Sequence, residues 1–347
     1  MPHGFSIQLI AHVPRARELA ALPNGDLLVG TSGTSVMIVP DAEGDAGTPA
    51  VFATLPERLA AGVAYANGTI AIGTMTGVYR LGYTSGERTA RGEPAKIASV
   101  RTGGNGGHST TSVAIAHDGT IYASVGSSCN ACVETDPTRA TIHRITGSGM
   151  TLKAKRIRNA IALGVDPRGH VWLGNAGQDS LPSGHPYEIV DDVDAAPSLA
   201  DYGWPDCEEN HVASTPGTNC SGQTVPHAVL PAYNTPIGLT FYAPPANAKY
   251  AFPAQYRGGL FVAAHGSWHT PHVAPRVAFF PMHNGAPEHA VNWSDPNAQW
   301  TEFLGGLMDA DGTFIARPTG ITVGPSGSLF VADDANGAIY RIRPVKN

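Results

Sequence analysis

The sequence predicts an all-β fold, a six-bladed β-propeller. Three observations predict it. A (Pro/Asn/Asp)-x-Gly turn followed by a short alternating apolar strand recurs along the chain. The 41 glycines and 28 prolines suit many short strands joined by tight turns, and they argue against a helical bundle. Hydrophobic residues make up 42% and charged residues only 14%, enough apolar side chain for a large core.

The repeat reads as follows. Pro23-Asn-Gly-Asp-Leu-Leu-Val-Gly30 is the first copy and Ala66-Asn-Gly-Thr-Ile-Ala-Ile-Gly73 the second. His117-Asp-Gly-Thr-Ile-Tyr-Ala-Ser-Val-Gly126 and Asp166-Pro-Arg-Gly-His-Val-Trp-Leu-Gly174 follow. A looser copy is Tyr256-Arg-Gly-Gly-Leu-Phe-Val-Ala263, and the last is Gly324-Pro-Ser-Gly-Ser-Leu-Phe-Val-Ala-Asp333. An apolar run precedes each clear turn, as in Thr111-Ser-Val-Ala-Ile115, which makes each copy a hairpin. Hairpins repeated about every 45–50 residues are the mark of propeller blades. The whole chain, 1–347, reads as one domain. A wider interval before Gly258 holds an inserted loop region at about 178–235, and such insertions commonly cover the binding face. The ring has to close to leave no open edge, and the run Ala338-Ile-Tyr-Arg-Ile-Arg343 is expected beside the first blade.

Net charge is −6, and no Lys/Arg cluster marks a phosphate-binding face, so nucleic acid is not an expected partner. No apolar run is long enough to span a bilayer. The first residues carry neither a basic nor an apolar signal region, which leaves a cytosolic protein or an exported one whose signal peptide is gone. The cysteines favour export, to the periplasm or outside the cell. Cys129/Cys132 and Cys207/Cys220 read as two local disulfides of an oxidising compartment. Zinc would need a second C-x-x-C pair, and a thioredoxin-like role would need a helix after the first.

A propeller's chemistry lies at the mouth of its channel, so the residues entering each innermost strand matter most. His108 follows a glycine run ahead of the third inner strand, and histidine is the usual general base near neutral pH. Arg158 and Asn159 enter the fourth, where an arginine polarises an oxygen and an amide hydrogen-bonds a carbonyl. Arg317 holds the same place in the last blade and suits a carboxylate. Asp333-Asp334 reads as a turn or blade-edge pair, and Trp204 as a substrate-stacking or loop-anchoring aromatic. No G-x-S-x-G, phosphate loop or dinucleotide fingerprint is present.

An ordered set of motifs at these places resembles the PQQ-dependent soluble aldose sugar dehydrogenases, in particular their L-sorbosone dehydrogenase-like branch. It comprises Gly107-His108-Ser-Thr110, Gly126-Ser-Ser-Cys129-Asn-Ala-Cys132, Arg158-Asn159, Asp201-Tyr-Gly-Trp-Pro205, Pro236-Ile-Gly-Leu-Thr-Phe-Tyr242, His265-Gly-Ser-Trp268 and Arg317-Pro-Thr-Gly320. The resemblance implies PQQ in the channel with Ca²⁺ beside it, and a sugar oxidised by hydride transfer to PQQ. An external quinone, cytochrome or dye would take the electrons onward. It makes His108 the base, places Arg158 near the reacting quinone oxygen, and gives PQQ binding to Asn159 and Arg317. It assigns calcium to backbone carbonyls, mapped here to Gly177 and Gln178, and oxygen ligands suit that ion. Two positions depart from the branch. Thr111 stands where it has an arginine, and His269-Thr270 where it often has a basic residue, which leaves open weaker PQQ binding, a different substrate or loss of the cofactor.

Two other functions fit a six-bladed ring. One is a calcium-dependent lactonase or hydrolase, for which Glu18 and Asn159 sit at suitable positions. The other is a non-catalytic binding propeller, since this fold does not decide its own function.

Overall fold

A computed structural model describes all residues except 102–105, 148, 183, 197–198, 270–271 and 346–347. Six antiparallel sheets stand around one channel, and the predicted propeller is what forms. The innermost strands are Ala16–Ala21, Gly62–Ala66, Thr111–Ile115, Ala162–Val165, Pro236–Phe241 and Pro318–Val323. The turn glycines read from the sequence, Gly25, Gly68, Gly119, Gly169, Gly258 and Gly327, all have positive φ, from 75 to 92°. Glycine takes this conformation without strain, which is why it marks every blade.

Six apolar clusters fill the six junctions between neighbouring blades. The junction of the first two blades packs Leu28, Ile38 and Phe52 against Ile70, Ile72 and Tyr79. That of the last blade and the first packs Phe330 and Ile339 against Leu27 and Val29. The ring closes within one sheet. The amino-terminal strand Phe5–His12 pairs antiparallel with Ala338–Pro344 and completes the last blade as its outermost strand. The run at 338–343 therefore lies in the sixth blade, where it bonds to the strand that leads into the first.

Arg158 and Asn159 lie in the loop just ahead of the fourth inner strand, which begins at Ala162. One expectation needs correction. The stretch 178–235 is not all inserted loop. It contains Glu188–Asp192 and Ala228–Leu230, the two outer strands of the fourth blade. The added segment lies between them, and its short strand Ala200–Asp201 pairs parallel to the outer strand of the third blade. Gly- and Pro-rich sequence hid these strands because each is no longer than five residues.

Phe5 on the closing strand packs edge-on against Phe252, Tyr256 and Phe303 of the fifth blade, with ring centres 4.7–5.5 Å apart. Phe5→Ala is expected to cost about 3 kcal/mol, as for other aromatic truncations in cores, read as a lower thermal or denaturant midpoint. A change below about 0.5 kcal/mol, within the range of surface substitutions, would mean that the strand adds little to closure.

Candidate active site

His108 stands at the channel mouth, just ahead of the third inner strand. Its amide donates to the Ser127 carbonyl (2.9 Å), and its Nδ1 faces the same carbonyl (3.2 Å) and the Ser127 Oγ (3.0 Å). The Ser127 hydroxyl spends its proton on the Cys129 carbonyl at 2.6 Å. Both atoms facing Nδ1 can therefore only accept, so Nδ1 carries the hydrogen and Nε2 the lone pair. Nε2 has no partner among the described residues. Burial, and then the Arg158 charge, push the imidazole pKa down to about 4, so the ring is neutral at physiological pH. Gly126 makes room for it, since a side chain there would strike the His108 Cβ and the Asn159 Oδ1.

Two buried arginines hold the backbone of His108 from behind. Arg101 Nε donates to its carbonyl at 3.0 Å, and Arg139 Nη1 to the same oxygen at 3.4 Å. Arg101 Nη1 also donates to the Thr111 Oγ1. A guanidinium thus lies beside Thr111, brought there from position 101. There it grips loop carbonyls, and burial pushes its pKa down to about 10.

Arg158 is buried, and burial lowers its pKa. It donates to the carbonyls of Asn130 (3.3 Å) and Ala176 (3.2 Å) and pairs with Asp179 at 2.7 Å. The other Asp179 oxygen lies 3.0 Å from His269 Nε2. His269 thus stands at the expected basic position and serves an aspartate; Thr270 lies outside the described residues. The Asn159 side chain lies against Gly126 and His108. Gly177 donates its amide to Glu188 at 2.6 Å, and burial raises the Glu188 carboxyl to about 7. Gly177 and Gln178 line a cavity with Arg158, Trp204, Glu208 and Glu209, beneath the added segment. Trp204 is buried and anchors its loop through Nε1 to the Asn130 carbonyl at 3.1 Å.

Arg317 enters from the sixth blade. Its Nε and Nη2 donate to the carbonyls of His265 (3.2 Å) and Gly266 (3.3 Å), which leaves Nη1 with no partner among the described residues. Asp333 accepts the Arg317 amide at 2.8 Å. Asp334 is no mere blade edge: it joins Arg17 (2.6 Å) and His265 (2.9 Å). One polar chain therefore runs around the mouth, from Arg317 through the 265–269 loop to His269, Asp179, Arg158 and on toward His108. Exposed Trp268, its ring 3.9 Å from that of His269, stands beside it as an aromatic platform.

Sequence reading did not single out Arg17 or Asp179, and it gave His269 and Asp334 no partner, because the partners come from distant blades. Glu18, expected as a metal ligand of a hydrolase, lines the channel among the inner strands, where burial raises its carboxyl to about 8. None of the converging His, Cys, Asp and Glu clusters among the described residues includes it. The four cysteines form the two expected disulfides, Cys129–Cys132 and Cys207–Cys220. Among the described residues no helix is long and apolar enough to cross a membrane.

Residues 206–345 match the family model described as TrAA12-like. The chain is similar to the holo form of the pyranose dehydrogenase PQQ domain from Coprinopsis cinerea, with a TM-score of 0.80 and 18% identity over 99% of this chain and 96% of that one. It is similar to the calcium structure of a Trichoderma reesei protein of Carbohydrate-Active Enzymes Family AA12 (TM-score 0.79, 20% identity, 99% and 96% covered). It is also similar to the PQQ-bound aldose sugar dehydrogenase of Streptomyces coelicolor (TM-score 0.66, 17% identity, 99% of each chain). A curated relative, an uncharacterized protein of Borreliella burgdorferi, is 30% identical over 114 residues, which are 33% of this chain and 27% of the relative.

Since the Arg158 charge helps to depress the His108 pKa, Arg158→Met is expected to raise its midpoint in an NMR titration of cofactor-free protein. The wild-type ring should titrate near 4, with the neutral form above that pH. An unchanged midpoint would place Arg158 too far from the imidazole to act on it.

Proposed function

We propose that the protein is a PQQ-dependent dehydrogenase that oxidises an aldose or related sugar at its C1 hydroxyl or hydrated aldehyde. One observation carries the reading: a neutral His108, its Nε2 lone pair unclaimed among the described residues, stands at the channel mouth within the field of Arg158. The residues present fit the cofactor. PQQ carries carboxylates, and the Arg317 Nη1 offers them a free donor among the described residues. Asn159 and Arg158, close to His108, would hold the quinone end, and the carbonyls of Gly177 and Gln178 suit Ca²⁺. When bound, PQQ would accept the hydride from sugar C1, with Ca²⁺ as a Lewis acid on its reacting carbonyl.

His108 takes the hydroxyl proton onto Nε2 as the hydride leaves, since a C–H bond gives up hydride more readily as its hydroxyl loses a proton. The Ser127 carbonyl and hydroxyl oxygens steady the imidazolium that results. Arg158, held in place by Asp179, would stabilise the negative charge that develops in the reaction. Trp268 offers a stacking face to a sugar ring. An external quinone, cytochrome or dye would reoxidise the cofactor. The disulfides agree with a periplasmic or secreted enzyme. Placement in the L-sorbosone dehydrogenase-like branch rests on the motifs alone.

Calorimetric titration with PQQ, with and without Ca²⁺, tests binding. A panel of aldoses with a dye acceptor tests turnover. Calcium-dependent PQQ binding is expected, with His108→Ala losing about 10²–10⁴-fold in kcat, the usual worth of a general base. No PQQ binding would overturn the reading and direct attention to lactone hydrolysis.

A further inference from the structure

At the added segment, His185, Glu208 and Glu209 converge, with one ligand atom of each within 4.8 Å of the others. His185 Nδ1 lies 3.0 Å from Glu209 Oε1 and 3.6 Å from Glu208 Oε2. Both carboxylates are buried, with the residues only 8% and 6% exposed. Glu209 Oε2 is sealed from solvent and has no hydrogen-bond partner among the described residues. Among the described residues no lysine or arginine pairs with either glutamate, so a single imidazole faces two adjacent buried carboxylates. Burial and the Glu209 charge raise the Glu208 carboxyl. Leaving such charge uncompensated is costly.

We propose that His185, Glu208 and Glu209 form a binding site for a divalent transition metal of the zinc class. A nitrogen ligand with two carboxylate oxygens suits zinc and not calcium, which takes oxygen ligands. Bonds of about 2.0–2.1 Å in a tetrahedron place ligand atoms about 3.3 Å apart, and the two histidine–glutamate separations, 3.0 and 3.6 Å, bracket that spacing. The trio also has the chemistry that a neighbouring cluster lacks. Asp166, His170 and Asp192 converge as closely, but Arg168 already bonds both aspartates at 2.6 and 2.8 Å and supplies the positive charge. The metal would join the added segment at 208–209 to the loop before the Glu188–Asp192 strand, and so brace the wall of the cavity that Gly177 and Gln178 share. The site uses side chains, whereas the proposed calcium ligands are the backbone carbonyls of Gly177 and Gln178.

The test is calorimetric titration of metal-stripped, full-length protein with zinc chloride in the absence of PQQ, repeated in millimolar calcium. One site is expected that calcium does not displace, together with a higher thermal midpoint when zinc is present. Glu209→Gln and His185→Asn should each weaken it by about a hundredfold or more, the upper range seen even for supporting partners of metal ligands. His170→Asn should leave it unchanged. The His185 side chain is 41% exposed, so His185→Asn keeps the test open should Glu209→Gln fail to fold. No zinc binding, equal binding by wild type and His185→Asn, or full displacement by calcium would overturn the proposal and leave the trio an ion pair.

Discussion

A lone pair on His108 Nε2 exists because the other ring nitrogen has no choice. Ser127 offers Nδ1 a carbonyl oxygen and a hydroxyl oxygen whose proton is already bound to the Cys129 carbonyl. The tautomer of the base is thus set by a loop, and the Cys129–Cys132 disulfide closes that loop. Glu134 adds a second tie, accepting from the Ser128 amide and hydroxyl. The disulfide therefore bears on the chemistry as well as on stability: it fixes the carbonyl that takes the serine proton.

The base also depends on the ring around it. Arg101 and Arg139 hold its carbonyl, and Arg158 reaches toward it from the next blade. Buried guanidiniums are costly unless their donors are satisfied. Here backbone carbonyls at the strand entrances accept most of them, which places positive charge at the mouth with few mobile counter-ions. Asp179 and Asp334 neutralise part of it and aim the rest. Such fixed charge needs no reorganisation when an anionic cofactor or a developing oxyanion arrives. The six inter-blade cores and the amino-terminal strand keep these positions in register.

Much of this was legible in the sequence. The six turn glycines announced the blades because each needs a positive φ that other residues resist. His108, Arg158 and Arg317 stood out because they precede inner strands, and a propeller's mouth lies there. The partners that make them a site were not legible. Asp334 meets His265 across 69 positions and His269 meets Asp179 across 90, with no local pattern to link them. The arginine that bonds the Thr111 hydroxyl lies at 101, ten positions away across a loop, where no sequence motif joins the two. Closure escaped too, because Phe5–His12 finds its partner at the far end of the chain.

The most direct test of the central claim is a crystal structure of the protein with PQQ and Ca²⁺. Placement of the quinone carbonyls at His108, Asn159 and Arg158, with a PQQ carboxylate on Arg317, is the required result. PQQ lodged away from His108, or His108 Nε2 turned from the channel to bond the protein, would contradict it.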